Sequence, residues 1–192
     1  MDIQLSWDLF ILVFFVVIVA YSLIIGTDRT LKVILGTYVA ALAADSLGNL
    51  LGRSLEGSAA FETVLKFAAV NSGDEAVVFV KVLGFVGLVI IFAVKGAFEV
   101  DTVEDRSAVV RAVLNGLYAA MSAGLIISVI LVFVSGVSFV GGGSPETPGT
   151  ALWELYNQSR FVRSLLGNAY LWFSIPALSF VIHSFYSRRH EG

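Results

Sequence analysis

Two ionisable side chains interrupt long apolar stretches of this sequence. Asp45 lies within residues 33–52, and Lys81 lies within residues 76–94. An unpaired charge near the centre of a bilayer costs at least about 2.5 kcal/mol on insertion scales, so such residues pair with each other or mark a path for ions or protons. If both stretches are membrane-spanning helices, Asp45 lies about 10 Å and Lys81 about 7 to 8 Å inside the same end of the bundle. We therefore expect an ion pair between them.

An amide and a phenol share the helix face of Asp45. At about 100° per residue, Tyr38 and Asn49 fall within about 40° of it. We expect Asn49 to hydrogen-bond to the ion pair and this polar cluster to face the bundle interior. Two alternatives stay open from the residues alone. The charged side chains could reach water separately at the helix ends, or the polar face could line an ion or proton path.

The sequence lacks the residue patterns of several other chemistries. It has no cysteine and two histidines, which disfavours zinc, haem and thiolate sites. It contains no G-x-S-x-G, H-E-x-x-H, phosphate-loop or G-x-G-x-x-G pattern. We therefore expect no metal, no cofactor and no enzymatic activity. The net charge is −3 and the longest basic run is "RRH", so we expect no nucleic-acid-binding surface.

The composition is that of an integral membrane protein. Hydrophobic residues make up 57% of the 192 residues and charged residues 14%, whereas roughly a quarter charged is usual in soluble proteins. A helix needs about 20 mostly apolar residues to cross a bilayer. Five stretches meet this length. The first residues of the sequence lack the basic start and the cleavage site of a signal peptide, so the first apolar stretch is expected to be a retained helix. The predicted spans are residues 9–27, 33–52, 76–94, 112–136 and 164–187.

The predicted fold is an all-α, polytopic transmembrane helical bundle, with four or five spans in a single membrane domain over residues 1–192. The fifth span is the one in question because it contains Asn168 and Pro176, although membrane helices tolerate proline. Residues 58–70 and 151–163 have amphipathic helical periodicity. These two stretches are expected either to lie in the membrane interface or to cap the bundle as ordered loops.

Small residues recur at every fourth position in the second and fourth spans. Close backbone approach through such stripes is a main source of helix packing in lipid, where the hydrophobic effect does not drive helix association. We expect these two helices to contact each other or to form a self-association surface. The stripe positions are Gly36, Ala40, Ala44, Gly48 and Gly52 in the second span, and Ala112, Gly116, Ala120, Gly124 and Ser128 in the fourth.

Lysine and arginine are distributed unevenly between the two sides of the predicted bundle. With the N-terminus outside, seven of them fall on the cytoplasmic side and four on the outer side. The positive-inside rule favours this orientation, with the C-terminus in the cytoplasm if there are five spans. The seven are Arg29, Lys32, Lys95, Arg106, Arg111, Arg188 and Arg189, and the four are Arg53, Lys66, Arg160 and Arg163.

The order of these features resembles the CvpA family, the colicin V production proteins. A first span begun by an Asp ("WDLFILVFFVVIVAYSLIIG") leads through a short basic turn into a small-residue second span ("TDRTLKVILGTYVAALAADSLGNLLG"). After the third span come a Gly-rich fourth span ("LNGLYAAMSAGLIISVILVF") and an amphipathic stretch with a serine ("LYNQSRFVRSLL"). The similarity covers about residues 7–166. The chain departs from the family in a polar insertion before the third span and in a fifth span, since the family usually has four.

The resemblance implies a non-enzymatic bacterial inner-membrane protein linked to peptide-toxin export and envelope maintenance, and it assigns no functional residue. The expected partners are the lipid bilayer and other membrane proteins or further copies of the chain. A second function class also fits the residues, a small transporter or channel subunit with a polar path at Asp45, Asn49 and Lys81. Its small-molecule substrate would be unknown.

Overall fold

A computed structural model describes residues 7–55, 58, 63, 66, 73–95, 108–140 and 159–187 of the chain. These residues form six α-helices, so the all-α prediction is confirmed. The helices are α1 (Trp7–Ile25), α2 (Thr27–Leu55), α3 (Gly73–Lys95), α4 (Ala108–Val134), α5 (Arg160–Gly167) and α6 (Ala169–Ser187).

Helices α1 to α4 are each long and apolar enough to cross a membrane. Helices α5 and α6 are bent by 50° where they meet and count as a fifth span only if the bent pair is one span. The protein therefore has multi-pass helical membrane character. The stretch predicted as one helix over 164–187 is instead two, because the chain breaks at Asn168 between them.

The amphipathic stretches fall mainly on parts of the chain that the structure leaves undescribed. The one at 58–70 lies almost wholly outside the described residues. Of the one at 151–163, residues 159–163 are described: Ser159 is the N-cap of α5, and residues 160–163 are its first turn.

A single glycine separates α1 from α2. Gly26 has a φ of +83°, a left-handed conformation that residues with a Cβ avoid. The Thr30 hydroxyl donates to Gly26 O at 2.8 Å and lies 3.0 Å from Ser22 O, which satisfies carbonyls that the end of α1 would otherwise expose. The short basic turn expected between the first two spans is helical from Thr27 onward.

Helices α2 and α3 pack antiparallel along the small-residue stripe of α2. A Cβ on Gly36 would lie 2.6 Å from Phe92 Cβ, and one on Gly52 would lie 2.9 Å from Val77 Cγ2. Rising numbers in α2 thus meet falling numbers in α3. The stripe positions between these contacts, Ala40 and Ala44, are buried as well.

Helix α4 is the central helix of the bundle. In α4, 78% of the candidate span is buried inside the protein, against 11% of the spans of α1 and α3. Its Asn115 meets the α1–α2 junction, where it lies 3.5 Å from both Leu23 O and Thr27 Oγ1. Near its other end the Phe133 ring meets Phe85 of α3 edge-on, with ring centroids 5.9 Å apart. Because only 11% of the spans of α1 and α3 is buried, these two helices present much of their apolar surface outward.

The two glycines of the small-residue stripe of α4 do not pack against the stripe of α2. Helices α2 and α4 do contact each other, but a Cβ on Gly124 would lie 2.2 Å from Cε3 of Trp172 on α6, and Gly116 has open space around it. The expectation that these two helices contact each other is confirmed, while Gly124 of the α4 stripe packs against α6. Of the remaining stripe positions, Ala112 is exposed, Ala120 is half-buried and Ser128 is buried.

Helix α5 is tied to the start of α1. Its N-cap is Ser159, whose hydroxyl accepts from Val162 N at 3.0 Å and donates to Asp8 Oδ1. The same carboxylate oxygen accepts from Phe161 N at 3.3 Å. Asp8 thus serves two polar groups at the start of α5, where helix N–H groups lack intrahelical partners. This links the N-terminal end of the bundle to its C-terminal helices.

Candidate functional site

The ion pair expected from the sequence is present at the α2–α3 interface. Lys81 Nζ lies 2.7 Å from Asp45 Oδ1, and both side chains are buried, 4% and 0% exposed. The antiparallel packing of α2 on α3 brings the two residues together at matching depth. The residues therefore do not reach water separately in this structure, which answers one alternative left open by the sequence.

Lys81 reaches Asp45 by lying along the backbone of α2. A Cβ on Gly48 would lie 2.3 Å from Lys81 Cγ and 2.9 Å from its Cε. The stripe residue Gly48 is therefore part of the site, because its lack of a side chain leaves room for the lysine stem. The ammonium also lies 6.0 Å from the centroid of the Phe133 ring, at the outer limit of an attractive cation–π distance.

The second carboxylate oxygen of Asp45 is held by the segment that follows α4. Ser138 Oγ donates to Asp45 Oδ2 at 2.8 Å, and the Val140 backbone N–H donates to the same oxygen at 2.9 Å. Asn49 Nδ2 donates in turn to Ser138 Oγ at 2.9 Å. Asn49 therefore joins the ion pair through Ser138 rather than directly.

A glycine turn brings this segment back to the ion pair. Helix α4 ends at Val134, and Gly136, with a φ of +76°, donates to Phe133 O at 2.9 Å. The chain then runs through Ser138 to Val140 against α2. The sequence predicts that the fourth span ends near this glycine, but it assigns neither Ser138 nor Val140 to the site. Helices commonly end at a glycine in the left-handed conformation. Gly136 is therefore the sequence signal for a turn after α4.

Tyr38 does not belong to the Asp45 cluster. Its hydroxyl donates to Phe173 O on α6 at 2.5 Å, and the two rings pack with centroids 6.4 Å apart. Phe173 lies three residues before Pro176, which lacks an N–H and so interrupts the hydrogen bonds of α6. Tyr38 shares the helix face of Asp45 as expected, yet it connects α2 to the broken C-terminal helix pair.

The site is a closed, charge-compensated cluster. A buried ion pair is tolerated when its geometry is good and further hydrogen bonds serve the remaining lone pairs. Here Asp45 Oδ1 pairs with the Lys81 ammonium, and Asp45 Oδ2 accepts two hydrogen bonds, from Ser138 and Val140. Both carboxylate oxygens therefore have partners. Such an arrangement fixes α2, α3 and the end of α4 relative to one another. The residues that the structure describes contain no cluster of three or more side chains suited to hold a metal ion.

The described residues thus form a multi-pass helical bundle with one buried polar cluster at the α2–α3–α4 junction. No protein-family model, no curated protein and no solved structure matches the chain.

Proposed function

We propose that this chain is a non-enzymatic, CvpA-like membrane protein that serves envelope maintenance and peptide-toxin export through helix contacts, without moving a solute through its interior. The observation that carries the second half of the proposal is the closed state of the Asp45–Lys81 pair. A carboxylate that relays ions or protons exchanges partners with water or with a substrate. Asp45 is 0% exposed and bound on both oxygens, which supports a structural role over a polar path.

The family half of the proposal rests on the resemblance over about residues 7–166, which implies a bacterial inner membrane. The orientation with the N-terminus outside rests on the positive-inside rule. The outward apolar surface of the bundle supports action through lipid and protein contacts. Ile24 is 83% and Val94 73% exposed, for example. The glycines of the α2 stripe are occupied by α3, so an interface with further copies or with other membrane proteins uses other surfaces.

A complementation experiment tests both halves. A bacterial strain that lacks the gene is scored for detergent sensitivity and for peptide-toxin secretion, and it is complemented with wild type, Asp45→Asn, Lys81→Met and the double variant. The wild type should restore both readouts. Each single variant leaves one buried charge unpaired and should fail, whereas the double variant removes both charges and should restore function.

The double variant distinguishes a structural role of the ion pair from a role in transport. Asp45→Asn retains a side-chain oxygen that can accept from the Val140 N–H, so the packing around it is kept while both charges are removed. Leu47→Met, at an exposed position on α2, is the neutral control. If the double variant is made at wild-type level and purifies at wild-type size but fails to complement, the charges themselves are needed and the transporter alternative is favoured. If deletion of the gene changes neither readout, the CvpA-like role is wrong.

A further inference from the structure

One face of α4 is covered on one side of Gly124 and open on the other. At about 100° per residue, Ser128 and Leu131 share the face of Gly124, and so do Leu117 and Val113 towards the start of the helix. Ser128 and Leu131 are buried, whereas Leu117 is 50% and Val113 65% exposed. The described residues therefore cover this face beyond Gly124 but leave it open towards the start of α4.

Helix α6 runs along α4 in the direction of the open part. Helix α5 shares a hydrophobic cluster with Ile127 of α4, and Trp172 of α6 then packs on Gly124. At 1.5 Å per residue, α6 continues for about 22 Å from Trp172 to its end at Ser187. Helix α4 extends about 24 Å from Gly124 back to its start at Ala108. Helix α6 therefore has the direction and the length to cover the open face.

The part of α6 after Pro176, residues 177–187, is called the arm here. Side chains are described for residues 177–182 of the arm, and none of them is buried. Pro176 itself is fully buried. Because proline lacks an N–H, residue 176 donates no hydrogen bond to the Trp172 carbonyl, and helices commonly bend at such a position. The arm is therefore joined to the bundle at a fixed point where the helix can bend.

A side chain of α2 holds the backbone of α6 at this point. The Tyr38 hydroxyl donates to Phe173 O at 2.5 Å, and the Ala177 N–H donates to the same hydroxyl. A regular helix would join this carbonyl and this N–H to each other. Membrane helices tolerate proline because neighbouring helices satisfy the backbone groups that it frees. Tyr38 therefore fixes the direction in which the arm leaves Pro176.

We propose that the arm is a hinged cover for the open face of α4, with Pro176 as the hinge and the Tyr38 hydroxyl as the latch. The structure shows the latched state, in which the open face of α4 is exposed to the bilayer. When the latch opens, the arm swings onto α4 and extends the contact that Trp172 already makes with Gly124. The arm thereby determines whether this face of α4 is covered by its own chain or is available to other membrane components.

Cross-linking of introduced cysteines measures the closed state, because the chain contains no cysteine of its own. Ser179 follows Trp172 by seven residues, and Leu117 precedes Gly124 by seven, so Leu117→Cys with Ser179→Cys reports closure. A disulfide forms only when the two Cα atoms come within about 7 Å. Leu117→Cys with Val181→Cys is the matched control, since Val181 lies on the opposite face of α6 from Trp172.

Each cysteine pair is oxidised in reconstituted vesicles in three backgrounds. These are the otherwise unchanged chain, Tyr38→Phe, which removes the latch hydroxyl but keeps the ring, and Tyr170→Phe, which removes an exposed hydroxyl of α6. The Ser179 pair should cross-link about threefold faster with Tyr38→Phe, the factor that corresponds to an average hydrogen bond inside a membrane. Tyr170→Phe should leave its rate unchanged. The Val181 pair should stay at background in all three.

The absence of a cross-link in the Ser179 pair in every background would overturn the hinged cover. Equal rates with Tyr38→Phe and Tyr170→Phe would overturn the role of the latch, and equal rates for the two cysteine pairs would mean that the arm unfolds rather than swings. Cross-links between two chains instead of within one would assign the open face to a second copy. Helical content and elution volume are checked for each variant. If Tyr38→Phe does not fold, Tyr38→Leu against Tyr170→Leu provides the same comparison.

Discussion

The stem of Lys81 occupies the place where Gly48 would otherwise carry a side chain. A Cβ at residue 48 would lie 2.3 Å from Lys81 Cγ, closer than carbon atoms approach without displacement. The lysine cannot give way freely, because its ammonium is fixed by Asp45. We expect Gly48→Ala to destabilise the bundle by about 1 to 3 kcal/mol, the usual range for overpacking a tight interior, as measured by unfolding in mixed micelles with increasing denaturing detergent.

Gly87 on α3 supplies the control for this substitution. A Cβ there would meet nothing within 4 Å, and alanine favours the helix over glycine by roughly 0.5 to 1 kcal/mol. Gly87→Ala should therefore be neutral or slightly stabilising. If Gly48→Ala unfolds at the same detergent fraction as Gly87→Ala, the close contact with Lys81 is not a feature of the protein.

The stability of charge variants provides a second prediction. Removing one partner of a buried pair typically costs about 3 to 5 kcal/mol, whereas replacing both partners is often nearly neutral. Asp45→Asn and Lys81→Met should each lower the unfolding midpoint strongly, and the double variant should recover most of that loss. A double-mutant cycle on unfolding free energies measures the coupling. Additive losses would show that the two side chains do not depend on each other.

The sequence predicts the parts of the site that depend on helix geometry alone. Asp45 and Lys81 could be placed at one depth because both lie on helices with a known rise per residue. Ser138 and Val140 could not be placed, because they follow the turn at Gly136, beyond which no periodic pattern gives the direction of the chain. Their contact with α2 depends on tertiary packing.

The residues that contact the small-residue stripes and Tyr38 could not be predicted from the sequence either. A Gly/Ala stripe shows that a helix can be approached closely, but it does not say which helix approaches. The contact of Gly124 with Trp172 joins residues 48 positions apart on different helices. Tyr38 likewise finds its acceptor on α6, although it shares a helix face with Asp45.

The α4 stripe yields a matched pair of glycine substitutions. At Gly124 a Cβ would lie within 2.2 to 2.6 Å of three atoms of the Trp172 ring, whereas at Gly116 it would meet nothing within 4 Å. We expect Gly124→Ala to displace α6 and lower stability by roughly 1 to 3 kcal/mol, and Gly116→Ala to be tolerated. Tryptophan fluorescence with Trp172 as the retained tryptophan reports the displacement. Unchanged emission in Gly124→Ala would contradict the close α4–α6 contact.

The hydrogen bond from Ser159 to Asp8 attaches the start of α5 to α1. We expect its loss to loosen α5. Ser159→Ala removes the N-cap of α5 and the donor to Asp8 together, and loss of an N-cap alone costs typically about 1 kcal/mol. Tryptic cleavage after Arg160 and Arg163, which both lie in α5, should then accelerate severalfold. Ser164→Ala is the control, since Ser164 lies exposed on the same short helix. Equal cleavage rates for the two variants would show that the Asp8–Ser159 link does not hold α5 in place.

The proposed orientation can be measured cleanly because the chain contains no cysteine. Arg29 and Arg53 are exposed arginines near opposite ends of α2, so single Arg29→Cys and Arg53→Cys variants report the two sides of the bundle. With the N-terminus outside, as the positive-inside rule favours, a membrane-impermeant maleimide should label residue 53 in intact spheroplasts. Residue 29 should react only after the membrane is opened. The reverse pattern would place the N-terminus in the cytoplasm, and with it the Asp45–Lys81 cluster nearer the cytoplasmic side.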